Sequence, residues 1–94
     1  MLNQKPSQQL KRRYILFSTS DKERIKQIIL DYLGILGWAK ASPIFVDDKS
    51  NNHANQAILS VSNKSLDDIR AAMELSKDNI KILRVSGTIK GLSK

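Results

Sequence analysis

The chain has no cysteine, a single histidine, two prolines and five aromatic side chains among its 94 residues. The lack of cysteine excludes disulfides, thiolate metal sites and cysteine nucleophiles, and is in keeping with a cytoplasmic protein. No run approaches the roughly 18–20 apolar residues of a membrane span. The polar start without an apolar stretch predicts no secretory signal. We therefore expect a cytoplasmic protein with no membrane association.

Residues that could support catalysis or metal binding are few and poorly placed. His53 lies in a polar loop together with Asp47 and Asp48. Asp67 and Asp68 fall in the first turn of a predicted helix, where the helix dipole already favours carboxylates. Gly-rich phosphate loops, zinc-protease motifs and nucleophile elbows are missing. The sequence therefore predicts no catalytic residue, no metal site and no cofactor bound by the protein.

The net charge of +7 is concentrated at the two ends of the chain. Residues 1–20 and 79–94 each carry four Lys or Arg and no acid, whereas residues 21–78 carry eight Lys or Arg and nine Asp or Glu. Such segregation is typical of proteins that bind a polyanion. The alternative is a solvated surface with basic tails.

The first half of the chain predicts an arm, a strand and a helix. Residues 1–10 are polar and predict a flexible basic arm. The run 12–19, RRYILFST, is typical of a buried strand. A helix should open at Ser20, which has capping-box spacing to Glu23, and end at Gly37. Its predicted apolar face consists of Ile25, Ile28, Ile29, Tyr32, Leu33 and Leu36.

The second half predicts a strand at 41–46, a polar loop at 47–55, a strand at 56–62, a helix at 65–76 and a final strand at 80–86. The order is βαββαβ. It predicts an α+β, ferredoxin-like (RRM-like) sandwich that forms a single domain over residues 11–94.

The predicted topology brings the two basic segments of the chain close together. Right-handed crossovers favour an antiparallel sheet of strand order 4-1-3-2 with both helices on one face. The second strand then lies at an edge, as Pro43 requires, since proline cannot donate to a ladder. The first and fourth strands become neighbours. We therefore expect a common cationic patch, consisting of Lys11, Arg12, Arg13, Arg84, Lys90 and Lys94.

The patch has further candidate ligands but no aromatic platform. Ser86, Gly87 and Thr88 follow Arg84 and offer two hydroxyls and an unhindered backbone to a phosphate or ribose. Tyr14 and Phe17 lie on opposite faces of the first strand, and the RNP1 pattern of RRM domains is missing. We expect Phe17 in the core, and recognition of RNA backbone and shape rather than of stacked bases.

Several stretches together resemble the ribonuclease P protein component 2 family of archaea and eukaryotes. They are KRRYILF, LDYLGILGWAKASP with its Gly-Gly-Ala-Lys-Ala spacing, ILSVSNKSLDDIRAA, and VSGTIK at residues 85–90. The likeness runs in the same order from about residue 11 to residue 90. The small size, without a basic extension, resembles archaeal members.

This resemblance implies a subunit of the ribonuclease P holoenzyme, an endoribonuclease whose RNA removes the 5′ leader of precursor tRNA with Mg²⁺ held through the RNA. The protein would bind and stabilise the catalytic RNA. Its implied partners are that RNA, ribonuclease P protein component 3 in a two-plus-two heterotetramer, other ribonuclease P proteins and, in the holoenzyme, precursor tRNA. The implied RNA-facing residues are Lys11, Arg12, Arg13, Lys40, Ser86, Gly87, Thr88 and Lys90, beside Arg84 of the patch.

Departures from the family pattern shift the expected contacts towards the chain ends. Ser60 and Asn63 stand where arginines are usual, and Gly91 stands where a basic residue is common.

The sheet face without helices should expose Ile58 and half of the first strand, and an apolar surface of this kind is typical of a protein interface. Helix 1 is the other candidate for the partner's site.

Two other functions fit the same fold. One is a ferredoxin-like RNA-binding module outside ribonuclease P, which would not associate with component 3. The other is an ACT-like ligand-sensing or interaction domain, which would show no RNA affinity and no salt dependence. The segregated charge argues against the ACT-like alternative.

Overall fold

A computed structural model of the protein describes residues 11–46 and 55–93. The predicted arm 1–10, residues 47–54 of the predicted loop, and Lys94 lie outside the described residues. The elements are β1 (Arg12–Phe17), α1 (Lys22–Ala41), β2 (Ile44–Val46), β3 (Ile58–Ser62), α2 (Leu66–Leu75) and β4 (Ile82–Ser86). In the described part of the chain, the 3₁₀ helices Asn63–Ser65 and Lys90–Ser93 follow β3 and β4. We refer to the latter as the C-terminal 3₁₀ helix.

The strands of the described residues form an antiparallel sheet in the order β2-β3-β1-β4. This is the predicted order 4-1-3-2 read from the other edge, and it confirms the ferredoxin-like α+β fold. β2 lies at an edge, as predicted. Pro43 immediately precedes this strand instead of lying within it, so no ladder position needs its missing N–H.

The main core lies between the sheet and both helices. Alternate residues of β1 and β3 point towards the helices, as the period-2 pattern of a strand requires. The helices contribute residues spaced three and four apart. The buried members include Ile15, Phe17, Leu59, Val61, Ile25, Ile28, Ile29, Ile69, Ala72 and Met73. The prediction that Phe17 belongs to the core is therefore confirmed.

The opposite face of the sheet is closed, and the prediction that Ile58 is exposed there is wrong. Ile58, Leu16 and Leu92 form a second buried cluster, against which Tyr14 and Val46 pack. Leu92 comes from the C-terminal 3₁₀ helix, which folds back across the sheet. The last residues of the chain thus remove from water an apolar surface that the strand pattern alone would leave open.

Helix α1 begins one residue later than predicted, with Asp21 instead of Ser20 as its N-cap. The Asp21 carboxylate accepts a hydrogen bond from the Arg24 backbone N–H at 3.1 Å, and the Thr19 hydroxyl accepts one from the Asp21 N–H at 3.1 Å. A carboxylate at this position satisfies a free N–H and also complements the helix dipole. The predicted capping box of Ser20 and Glu23 is therefore not the one that forms.

Helix α1 also continues past Gly37 to Ala41, so the predicted stop is wrong. It kinks at Gly34, where φ is 74° and ψ is 179°, a conformation that is open essentially to glycine alone. The helix ends at Ser42, whose N–H donates to the carbonyls of Trp38 and Ala39. The predicted strand at 41–46 consequently begins only at Ile44. No helix among the described residues is long and apolar enough to cross a membrane.

An ion pair joins the start of α1 to the turn before β4. The Arg24 Nε donates to Asp78 Oδ2 at 2.9 Å, and a guanidinium Nη2 donates to the same oxygen. The hydrogen bond from Arg24 lowers the pKa of Asp78, to which Ser76 also donates. The same hydrogen bond and the charge of Asp78 raise the pKa of Arg24.

The role of the C-terminal 3₁₀ helix predicts a large effect of Leu92→Ala. Because Leu92 fills the cluster over Leu16 and Ile58, its truncation should lower the free energy of unfolding by about 2–4 kcal/mol, measured by urea titration. Ile89→Ala is the matched control: Ile89 is 39% exposed and should cost less than about 1 kcal/mol. Equal effects of the two variants would show that Leu92 does not close the sheet face.

The Arg24–Asp78 pair predicts an acid-side loss of stability. The folded state lowers the pKa of Asp78. The contribution of this carboxylate to the free energy of unfolding is therefore present above the unfolded pKa of about 4, and it disappears as the pH falls through the folded pKa. Asp78→Asn should therefore have a lower urea midpoint than the parent at neutral pH, and the two midpoints should converge at low pH. A difference that is the same at both pH values would contradict the ion pair.

Candidate nucleic-acid interface

One end of the sheet collects most of the residues that the sequence pointed to. β1 begins there, β3 and β4 end there, and α1 ends beside them. The register places Arg12 opposite Ser62 and Tyr14 opposite Ser86. We call this region the basic end and define it by its cations. These are Lys11, Arg12, Arg13, Lys40, Lys64, Arg84 and Lys90.

Arg13 lies next to Gly87, across the junction of β1 and β4. Its Nη1 is 2.8 Å from the point that a Cβ on residue 87 would occupy, so glycine leaves the space in which this guanidinium lies. Among the described residues, the guanidinium has no hydrogen-bond acceptor. A partly exposed arginine without an internal acceptor can present its planar fork to a phosphate.

The segment after β4 folds into a compact turn. The Thr88 N–H donates to the Ser86 hydroxyl at 3.2 Å, and the Gly91 N–H donates to the Thr88 hydroxyl at 3.1 Å. Both hydroxyl oxygens act as acceptors, so each O–H hydrogen can still be donated to an anion. A Cβ on Gly91 would lie 1.9 Å from Ser86 Oγ, so glycine allows this turn to close as tightly as it does.

Arg84 and Lys90 flank this turn, and both are exposed. Arg84 lies opposite Leu16 on the face that the C-terminal 3₁₀ helix covers. Its Nη1 donates to the Gly91 carbonyl at 3.4 Å, a long hydrogen bond. Lys90 begins the C-terminal 3₁₀ helix. The described cations of the C-terminal segment therefore lie on the helix-free side of this turn, whereas Arg13 approaches the turn from the helix side.

Arg12 has a different environment from that of Arg13. Its side chain crosses the helix-free face, where Nε donates to Ser60 Oγ at 2.8 Å. Its Nη2 donates to the carbonyls of Ser60 at 2.8 Å and of Ser42 at 2.6 Å. Ser60 is thus the internal partner of Arg12.

Lys40 and Lys64 extend the basic end on the side of α1 and β3. Lys40 is exposed in the last turn of α1. Lys64 was missed from the sequence, although the predicted strand order already placed the end of the third strand beside the start of the first. The Asn63 N–H donates to the Lys11 carbonyl at 2.7 Å, which fixes that proximity. Asp67 and Asp68 follow at the start of α2, so the positive charge is greatest towards β1 and β4.

The sheet face that RRM domains use for stacking bases is occupied here. Tyr14 is partly buried against the cluster of Leu16, Ile58 and Leu92, and Phe17 is fully buried on the other side. Base stacking needs an exposed aromatic face. The geometry therefore favours contacts at the end of the sheet, where cations and hydroxyls are accessible.

The described residues form no comparable arrangement for catalysis. Among the described residues, no group of three or more His, Asp or Glu is placed to hold a metal ion. His53, Asp47 and Asp48 lie outside them. A groove of about 570 Å³ between α2 and β4 is lined by charged side chains such as Arg70 and Glu74 together with apolar ones.

Comparison with known proteins identifies the family of this chain. Residues 13–94 match the family model described as the Rpp14/Pop5 family. The chain is also similar to the ribonuclease P protein component 2 of Thermococcus gammatolerans, with 36% identity over 95% of this chain and 85% of that relative. The family model covers the turn after β4, and the two matches confirm the resemblance inferred from the sequence. The chain therefore belongs to the Rpp14/Pop5 family.

Proposed function

We propose that this chain is a protein subunit of ribonuclease P that binds and stabilises the catalytic RNA during maturation of tRNA. Membership of the Rpp14/Pop5 family and the likeness to a ribonuclease P protein component 2 support the assignment. The observation that carries the RNA-binding role is the juxtaposition of Arg13, at the start of β1, with the turn at residues 86–88.

The basic end would bind the RNA backbone. Lysines supply point charges, Arg13 supplies a planar fork, and the hydroxyls after β4 supply neutral donors for phosphate or ribose oxygens. Neutralising phosphates releases counterions, so affinity should fall steeply with salt. The proposed contact residues are Lys11, Arg13, Lys40, Lys64, Arg84, Ser86, Gly87, Thr88 and Lys90.

The protein's contribution to cleavage would be indirect. The RNA would cut the 5′ leader from precursor tRNA, with Mg²⁺ bound through the RNA. This chain would lower the electrostatic cost of bringing RNA segments together around that site. None of its own residues would touch the scissile phosphate. We expect it to act in the cytoplasm.

A protein partner would bind the outer side of the helices. Ile35 and Leu36 are 78% and 79% exposed, directly after the kink at Gly34. Tyr32 and Leu75 continue this exposed apolar surface onto α2, where the Tyr32 hydroxyl donates to the Leu75 carbonyl at 3.0 Å. Exposed apolar residues that are contiguous mark interaction sites. We assign this surface to ribonuclease P protein component 3, in a two-plus-two assembly.

The RNA role predicts a change in salt dependence. Arg13→Gln and Lys90→Gln should each make the log–log slope of RNA affinity against salt shallower by about one, because each removes one phosphate contact. In reconstituted tRNA cleavage, the double variant should need more Mg²⁺. Lys77→Gln is the control, because Lys77 follows α2 at the opposite end of the sheet. An unchanged slope for both variants would refute the RNA-binding role of the basic end.

The partner surface predicts selective loss of protein assembly. Ile35→Asp with Leu36→Asp should abolish co-elution with component 3 in size-exclusion chromatography, because two charges would be buried at the contact. RNA affinity of the free subunit should fall by less than about tenfold, because the new charges lie one helical turn from Lys40 but leave the contacts at Arg13 and Lys90 in place. Leu83→Asp, an exposed apolar position on β4, is the control. If the parent chain bound RNA but not component 3, a module outside ribonuclease P would be indicated.

A further inference from the structure

We propose that the two adjacent arginines of β1 have different tasks, with Arg12 acting as an internal positioning residue and Arg13 as the RNA contact. The RNA part of this inference rests on the proposed function. Successive residues of a strand point to opposite faces of the sheet. Arg13 shares the side of Val61 and the helices, whereas Arg12 shares the side of Ser60 and Ile58. A sequence of two identical residues thus produces two different environments.

The Arg12 guanidinium forms a clasp between three segments. It starts on β1, bonds the hydroxyl and the carbonyl of Ser60 on β3, and reaches the carbonyl of Ser42 after α1. Ser60 is only 4% exposed, so its hydroxyl would lose a partner in a nearly dry position if Arg12 were removed. Leaving a buried polar group unpaired costs more than the hydrogen bond itself contributes.

Ser42 is the residue that most needs this support. Its φ of 48° and ψ of 54° lie in the left-handed region, which is unfavourable for a residue with a Cβ. Its N–H is already bonded to the last turn of α1, and the Arg12 bond fixes its carbonyl. The clasp therefore holds the reversal of chain direction between α1 and β2.

This reversal determines where Lys40 lies at the basic end. The end of α1 is separated from the rest of the helix by the kink at Gly34, and β2, with three residues, is the edge strand beside β3 in the part of the sheet that the structure describes. Local segments with few contacts open most readily. Without the clasp, the segment containing Lys40 and Ser42 should become mobile, so Arg12 would influence RNA binding through position and not through a phosphate contact.

Lysine should not replace arginine in this role. The three bonds of Arg12 use two nitrogens of a rigid fork, Nε towards Ser60 Oγ and Nη2 towards two carbonyls. An ammonium group has the charge but not this geometry. A phosphate contact, by contrast, would keep most of its contribution to the salt slope in an Arg→Lys variant, since the slope counts neutralised charges.

The test compares Arg12→Gln, Arg12→Lys and Arg13→Gln in the full chain by thermal unfolding, amide hydrogen exchange and RNA affinity at several salt concentrations. Both Arg12 variants should lower Tm by about 4–8 °C or more and accelerate amide exchange at Ser42 and at residues 44–46, with the salt slope unchanged. Arg13→Gln should leave Tm within about 3 °C of the parent and reduce the slope by about one.

Ser60→Ala provides a milder test that does not depend on the folding of the Arg12 variants. It removes one acceptor and keeps both carbonyl contacts, so Tm should fall less than in Arg12→Gln. The double variant of Arg12→Gln and Ser60→Ala should be no less stable than Arg12→Gln alone, since paired residues are not additive. Full additivity, or an unchanged Tm in Ser60→Ala, would contradict the clasp.

The outcomes for the clasp and for RNA binding are separable. The clasp is overturned if Arg12→Gln keeps the parent's Tm and exchange rates while losing slope as Arg13→Gln does. If the parent chain shows no salt-dependent RNA affinity, the proposed function fails, but the thermal and exchange measurements still decide whether Arg12 positions the end of α1.

Discussion

The central position of β1 in the sheet is the constraint on which the other features depend. Its two ladders, to β3 and to β4, bring the start of β1 against the ends of both strands. Because the cations flank these two strands, strand pairing concentrates positive charge that the sequence keeps far apart. The backbone hydrogen bonds of the sheet therefore oppose the repulsion between the cations, which is strongest at low salt.

Closure of both sheet faces decides where binding can occur. The helices cover one face, and Leu92, Tyr14 and the Arg12 side chain cover the other. In a chain with few aromatic residues, covering that face with aliphatic side chains stabilises the fold more than leaving the face exposed, because burial removes apolar surface from water. The end of the sheet and the outer side of α1 are left as accessible surfaces, one of them cationic and the other apolar. This separation would allow the proposed contacts with RNA and with a protein partner to be made at the same time.

The strand order and the edge position of β2 were predictable, because hydrophobic periodicity and the handedness of crossovers restrict topology strongly. The ends of α1 were not, because Ser20 and Asp21 are both good N-caps and differ little in energy. Burial of Ile58 depends on Leu92, in a tail without periodicity. Strand alternation predicts that Arg12 and Arg13 face opposite sides, but the bonds of Arg12 to Ser60 and Ser42 depend on strand register and on the end of α1, which no local pattern reveals.

NMR titration of the isotope-labelled chain with ribonuclease P RNA most directly tests whether the start of β1 and the turn after β4 form one RNA-binding surface. We expect the amide signals of residues 11–13 and 86–90 to shift together, with the same dependence on RNA concentration, while those around Arg24 and Asp78 stay in place. Shifts at only one of the two segments, or shifts centred on the opposite end of the sheet, would contradict a common RNA-binding surface formed by β1 and β4.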